Sequence, residues 1–167
     1  MPSILFVCTA NQFRSPIAAA EFSRLLGKKE VQDDWMVSSA GTWAQEGLPL
    51  HPKAVEAAEK LGLIIKEHTT REVNKEILKK ADLIVVMEVD HREALESEFP
   101  ECKERICILS EVAGGSGTSI DDPARTNFVE ADTITERILD EVQKAFVSLI
   151  DLARRNQTAK MISDPHI

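Results

Sequence analysis

A chain of 167 residues, 43% of them hydrophobic, has the length and the core material of one ordinary domain. Its net charge of −8 argues against nonspecific binding to nucleic acid, and no apolar run reaches the length needed to span a membrane. Three cysteines, an odd number, fit a reducing cytoplasm better than a disulfide framework, and Met1-Pro2 leads into the first strand with no secretory signal in between.

Residues 3–7 form a short run of strand formers, too short for a helix, and read as a buried strand. Cys8-Thr9-Ala10-Asn11-Gln12-Phe13-Arg14-Ser15-Pro16 follows. Ser15 before Pro16 reads as a helix cap and first turn, the helix runs over 17–26, and Gly27 is its expected stop. A thiol therefore stands at a strand end, six residues before an arginine, in a loop that feeds a helix start. Loop N–H groups and the positive end of that helix converge there, and Arg14 adds a planar fork suited to two oxyanion oxygens. Such a field favours the thiolate of Cys8, which makes it a nucleophile rather than a buried apolar cysteine.

Residues 28–34 form a charged connection, 35–38 a second strand, and Ser39-Ala40-Gly41-Thr42-Trp43 the loop that leaves it. Pro52 opens a helix over 52–61 that Gly62 ends, with His51 read as a turn or rim residue; Asn74 caps a short helix to 79. The continuously apolar stretch 83–87 predicts a parallel strand covered on both faces, followed by an exposed helix over 90–98 and a fourth strand over 106–109. Cys102 and Cys107 lack the further ligands of a zinc site and read as a surface turn cysteine and a buried strand cysteine, so no metal is expected. The glycine-rich stretch 113–119 lacks the lysine of a nucleotide loop and leads to Asp121-Asp122-Pro123, where proline fixes the backbone of Asp122. A long helix over 129–155 closes a domain of residues 1–155, and 156–167 reads as a loose tail. Strands alternating with helices give an α/β fold, a single domain with a parallel sheet and helices on both faces; the Cys8 loop lies at the carboxyl end of its first strand.

Cys8-x5-Arg14-Ser15, the Ser39-Ala40-Gly41-Thr42 stretch and Asp122-Pro123 together resemble the low-molecular-weight protein tyrosine phosphatase family. The resemblance implies a four-stranded sheet in the flavodoxin-like order 2-1-3-4, with the first strand central. It implies that Cys8 attacks phosphorus, that Arg14 and the loop of Thr9, Ala10, Asn11, Gln12 and Phe13 hold the phosphate, and that Asp122 is the general acid, with Asp121 ranked second. Ser15 would bond the sulfur, Asn11 would brace the loop, Ser39 would bond into it, His68 would serve structurally and Trp43 would wall the substrate. No cofactor is implied, and the partner is a phosphorylated protein or a small aryl phosphate. The chain departs from the family in several places. It has no tyrosine, and Ala124-Arg125 stand where cleft aromatics are usual. Ala10 replaces a common glycine, so the loop must avoid a positive φ there or bear strain. Phe13 replaces a second cysteine, which removes a protective disulfide with Cys8. Gln12 is polar at the cleft mouth, where members that take phosphoarginine carry threonine. Two other readings are an arsenate reductase of similar fold, which needs two further thiols, and a non-catalytic phosphate-binding module.

Overall fold

In the computed structural model, which describes residues 1–115 and 117–164, four parallel strands make one sheet. These are β1 (Ser3–Cys8), β2 (Met36–Gly41), β3 (Leu83–Val86) and β4 (Ile106–Ile108), in the order β2-β1-β3-β4. The order is the expected 2-1-3-4, with β1 between β2 and β3. The register pairs Cys8 with Gly41 and Val7 with Val86, so the carboxyl ends of the three strands finish nearly level around the thiol.

The period-2 alternation of β1 divides the core. Ile4, Phe6 and Cys8 face the layer that holds α1 (Arg14–Lys28) and α6 (Ala131–Ser163), together with α2 (Pro52–Lys60). Leu5 and Val7 face the opposite layer with α3 (Lys75–Lys80) and α4 (Val89–Glu98), where Leu78, Leu95 and Cys102 are buried. Phe22 of α1 joins the first layer together, with ring centroids 5.8 Å from Phe6, 5.7 Å from Trp35 and 5.2 Å from Phe146. Burying a side chain of that size contributes roughly 1.5–3 kcal/mol. The remaining helix, α5 (Leu109–Val112), follows β4 directly.

Several boundaries differ from the sequence reading. Helix α1 starts at Arg14, so Ser15 lies inside its first turn, where its side chain turns inward instead of capping. Gly27 is also inside α1. The helix closes through Glu30 N–H to Gly27 O and Val31 N–H to Leu26 O, with Glu30 taking the left-handed φ of 57° that a glycine was expected to supply. Cys102 is fully buried rather than in a surface turn, because the two-turn 3₁₀ helix Pro100–Arg105 folds it under α4. Residues 156–163 are not a loose tail but the last two turns of α6. Arg154-Arg155 gave a plausible stop, yet polar anchors carry the helix on: Asn156 Nδ2 donates to Asp82 O at 2.9 Å and Lys160 Nζ to Asp82 Oδ1 at 2.9 Å. Residue 116 of the glycine-rich stretch and 165–167 of the expected tail lie outside the described residues.

Candidate active site

The site grows from the turn between β1 and α1. Cys8 ends β1, almost fully buried, with its Sγ 3.0 Å from Ser15 Oγ. The Ser15 hydroxyl has one proton and two acceptors in reach, the sulfur and the Ala40 carbonyl at 3.3 Å. A negative sulfur draws that proton toward itself. Ser15 Oγ also accepts from Asn11 Nδ2 at 3.0 Å, leaving the hydroxyl fixed from behind.

Asn11 is the loop's brace. It is the loop residue with a left-handed backbone, φ 59°, a conformation asparagine tolerates better than most residues, and this relieves Ala10 of the positive φ that would strain it. Its side chain donates to Ser39 Oγ at 2.9 Å and accepts from the Arg71 N–H at 3.0 Å, and its carbonyl accepts from His68 Nε2 at 2.6 Å. Burial pushes the His68 pKa down; the hydrogen bond to the Asn11 carbonyl opposes that shift and the nearby Arg71 charge adds to it. The loop after β2 is laced to the same turn: Thr42 N–H reaches Cys8 O at 2.8 Å and Trp43 N–H reaches Thr9 O at 3.0 Å. Gly41 permits this approach, since a Cβ there would run into the carbonyl of Thr9 and the side chain of Ala44.

Arg14 is 2% exposed and held from several sides. Nη1 lies 2.9 Å from Glu88 Oε2 and donates to Ile120 O at 2.8 Å; Nη2 lies 3.4 Å from Asp122 Oδ2 and 3.4 Å from Thr9 Oγ1. Glu88, just past β3, meets Arg125 Nη2 at 3.1 Å as well. His91 completes the cluster. Its Nδ1 accepts the Glu88 N–H at 3.1 Å, so the proton of the neutral ring sits on Nε2, 2.9 Å from Thr9 Oγ1 and 3.3 Å from Glu88 Oε2. Burial, with the Arg14 charge beside it, pushes the His91 pKa down to about 4, so this imidazole is neutral at physiological pH.

These groups open into a cleft of about 80 Å³ lined by Cys8, Ala10, Gln12, Phe13, Arg14, His51, Asp122, Ala124 and Phe128. Against roughly 30 Å³ per water molecule, that is the scale of a tetrahedral oxyanion rather than of a large ligand. A wider hollow of about 390 Å³ between α1, β2 and the 65–71 segment contains neither Cys8 nor Arg14. One wall of the cleft is a stacked pair, His51 over Phe128, with centroids 3.8 Å apart and planes 15° apart. Gln12 reaches across its rim to Pro49 O at 3.3 Å. Asp122 Oδ1 accepts from Ala124 N–H at 3.0 Å, which turns its other oxygen toward Arg14.

Of the residues singled out in the sequence, Cys8, Arg14, Asp122, Ala10, Gln12 and Phe13 share the cleft. Thr9, Asn11, Ser15 and Ser39 are not in the cleft lining; their side chains brace the loop through hydrogen bonds. Trp43 is 83% exposed and stands outside the cleft lining; the aromatic wall comes instead from Phe128 with His51. Asp121 pairs loosely with Arg125 at 3.7 Å. Sequence reasoning missed Glu88, His91, His51 and Phe128. The available signal for Glu88 was its place directly after the most apolar strand, level with the end of β1.

A parallel α/β sheet here sets a thiol at the end of its central strand, an arginine opening the next helix and an Asp-Pro carboxylate around one small cleft. The chain belongs to the low molecular weight phosphotyrosine protein phosphatase family, whose sequence model matches residues 3–159. It is 32% identical over 143 residues to an arsenate reductase of Halalkalibacterium halodurans, covering 84% of this chain and 89% of that one. It is 31% identical over 120 residues to the protein-arginine-phosphatase of Bacillus subtilis, covering 72% and 78%. Among solved structures, the low molecular weight protein tyrosine phosphatase from T. tengcongensis superposes with a TM-score of 0.80 at 32% identity, covering 89% of this chain and 100% of the other.

Proposed function

We propose that this protein is a cysteine-dependent phosphomonoester hydrolase that acts on phosphorylated protein side chains or small aryl phosphates. One observation carries the reading: thiol, guanidinium and Asp-Pro carboxylate line the same oxyanion-sized cleft. In the first step Cys8 Sγ attacks phosphorus in line, the S–P bond forms, and the bond from phosphorus to the leaving oxygen breaks. Asp122, protonated, gives its proton to that oxygen. Arg14 and the loop N–H groups carry the charge of the equatorial oxygens through the transition state. In the second step Asp122, now a carboxylate, takes a proton from water as the water attacks phosphorus. The S–P bond breaks, inorganic phosphate leaves and the thiolate returns, helped by the Ser15 hydroxyl at 3.0 Å.

The flat His51–Phe128 wall favours a planar leaving group, whether an aryl ring or a guanidinium. The thiols outside the site argue against an arsenate reductase. Cys102 lies in the layer on the far face of the sheet from Cys8, with its thiol donating to Phe99 O at 2.9 Å. Burial pushes the Cys107 thiol up to about 12. Neither is equipped to relay a disulfide from Cys8. Free thiols and the lack, among the described residues, of any helix able to cross a membrane are consistent with a cytoplasmic enzyme.

The test is phosphate release from phosphotyrosine, phosphoarginine and phosphoserine peptides and from an aryl phosphate. Wild type turns over at least one of the first two, and Cys8→Ser abolishes turnover. Oxyanion binding with no turnover would convert the reading to a binding module. Thiol-dependent arsenate consumption, lost on changing Cys102, would convert it to a reductase.

A further inference from the structure

The segment that carries Asp122 to the cleft follows a glycine-rich stretch. Gly114 and Gly117 both take left-handed φ values, +89° and +75°. Beyond them the chain is held at successive residues. Ser119 Oγ accepts from Val89 N–H at 3.2 Å, Ile120 N–H donates to Met87 O at 2.9 Å, and Ile120 O accepts from Arg14 Nη1 at 2.8 Å. One further tether comes from α6. Arg137 Nη2 donates to Thr118 O at 2.8 Å and Nη1 to Ser119 O at 3.0 Å, while Nε bonds Glu141 Oε1 at 2.9 Å. One guanidinium thus grips two consecutive carbonyls directly ahead of Ile120 and Asp122.

We propose that Arg137 is a positioning residue for the general acid, its fork on the 118 and 119 carbonyls fixing where the Asp122 carboxyl stands above Cys8. The inference rests on the role given to Asp122 above. A planar fork spans two carbonyls in one fixed geometry, whereas a lysine ammonium is a point donor. Glu141 sets the plane of the guanidinium; its Oε2 is buried without a hydrogen-bond partner among the described residues, so its carboxylate depends on Arg137. For that reason Arg137→Ala risks the fold. Arg137→Lys keeps a cation for Glu141 and removes only the fork.

The experiment compares kcat/KM of wild type, Arg137→Lys and Asp122→Asn on phenyl phosphate and on 2,4-dinitrophenyl phosphate, with thermal unfolding of each protein recorded alongside. Departure of phenolate needs a proton from the enzyme, while dinitrophenolate leaves without one. Arg137→Lys is expected to lose roughly tenfold on phenyl phosphate, a part of the ~10²–10⁴ that a general acid contributes, and less than about twofold on the dinitrophenyl ester. A merely structural role would lower both esters together. Equal losses on the two esters, or none, while Asp122→Asn still discriminates between them, overturn the role of Arg137 alone. If Asp122→Asn does not discriminate either, the assignment of the acid fails and this inference fails with it.

Discussion

Strand β3 is bracketed by two carboxylates, Asp82 before it and Glu88 just past it, and the two side chains are equally buried at 7% exposure. At the amino end Asp82 accepts from Ser3 N–H at 2.9 Å and pairs with Lys160 at 2.9 Å. At the carboxyl end Glu88 pairs with Arg14 at 2.9 Å, with Arg125 and His91 beside it. Residue type, burial and the presence of a cation are alike, so none of these decides the role. The difference lies in what else each cation touches. Lys160 also donates to Lys79 O at 3.0 Å, which ties the end of α6 to the end of α3. Arg14 also reaches Ile120 O, Thr9 and Asp122, all parts of the cleft or its supports. One carboxylate fastens a helix; the other sets the charge balance of an anion site.

The largest expected effect is at Glu88. Removing one partner of a buried pair leaves the other charge uncompensated, at a cost of about 3–5 kcal/mol. Glu88→Ala should therefore lower the unfolding free energy in urea by that order and abolish measurable turnover as Arg14 loses its seat. Glu88→Gln retains the shape and removes the charge, and kcat/KM should fall by at least about tenfold, because a displaced guanidinium no longer meets the equatorial oxygens. If Glu88→Gln turns over like wild type, Glu88 is as structural as Asp82 and the contrast between the two ends is gone.

The second effect is a pH dependence at the carboxyl end. The His91 pKa is held down to about 4 in the folded protein, while in the unfolded chain it is about 6.5. Between those values the unfolded state takes up a proton that the folded state refuses. This stability is fully present above about pH 6.5 and is lost as pH falls toward about 4, by up to about 3 kcal/mol. His91→Gln should flatten that part of the stability curve relative to wild type, measured as urea midpoints between about pH 7 and about 4.5. Curves of equal slope would show that protonated His91 is tolerated beside Arg14.

The same contrast shows what a sequence can reveal. The phosphate loop was legible because its parts are consecutive: a strand end, a turn and a helix start within ten residues place Cys8 and Arg14 together whatever surrounds them. The Asn11–Ser39 bond followed from resemblance, and the sheet order followed likewise. Glu88 offered only its place after an apolar strand, and His91 offered nothing, since their meaning comes from β3 lying beside β1, which brings the end of one strand to the loop of the other. Phe128 and His51 form a wall only after residues 77 positions apart in the chain stack at 3.8 Å. Ser15 carried a good local cap signal that was overridden by a stronger partner, the sulfur. The end of α6 was missed for a related reason: no apolar stripe marks 156–163, and its anchors are single polar bonds to a distant strand.

The smallest expected effect tests the amino end. Lys160→Met keeps the aliphatic stem and removes the ammonium. Lys160 is 31% exposed, so solvent screens its pairing, and Asp82 retains the Ser3 N–H and hydroxyl as partners at 2.9 and 3.0 Å. The loss should be about 1 kcal/mol, seen as a drop of roughly 2–4 °C in Tm for a chain of this length. Turnover of an aryl phosphate should stay within about twofold of wild type, because no bond of Lys160 leads to the cleft. A fall in kcat/KM comparable to that of Glu88→Gln would mean that β3 couples its two ends, and that fastening α6 is part of how the anion site is held.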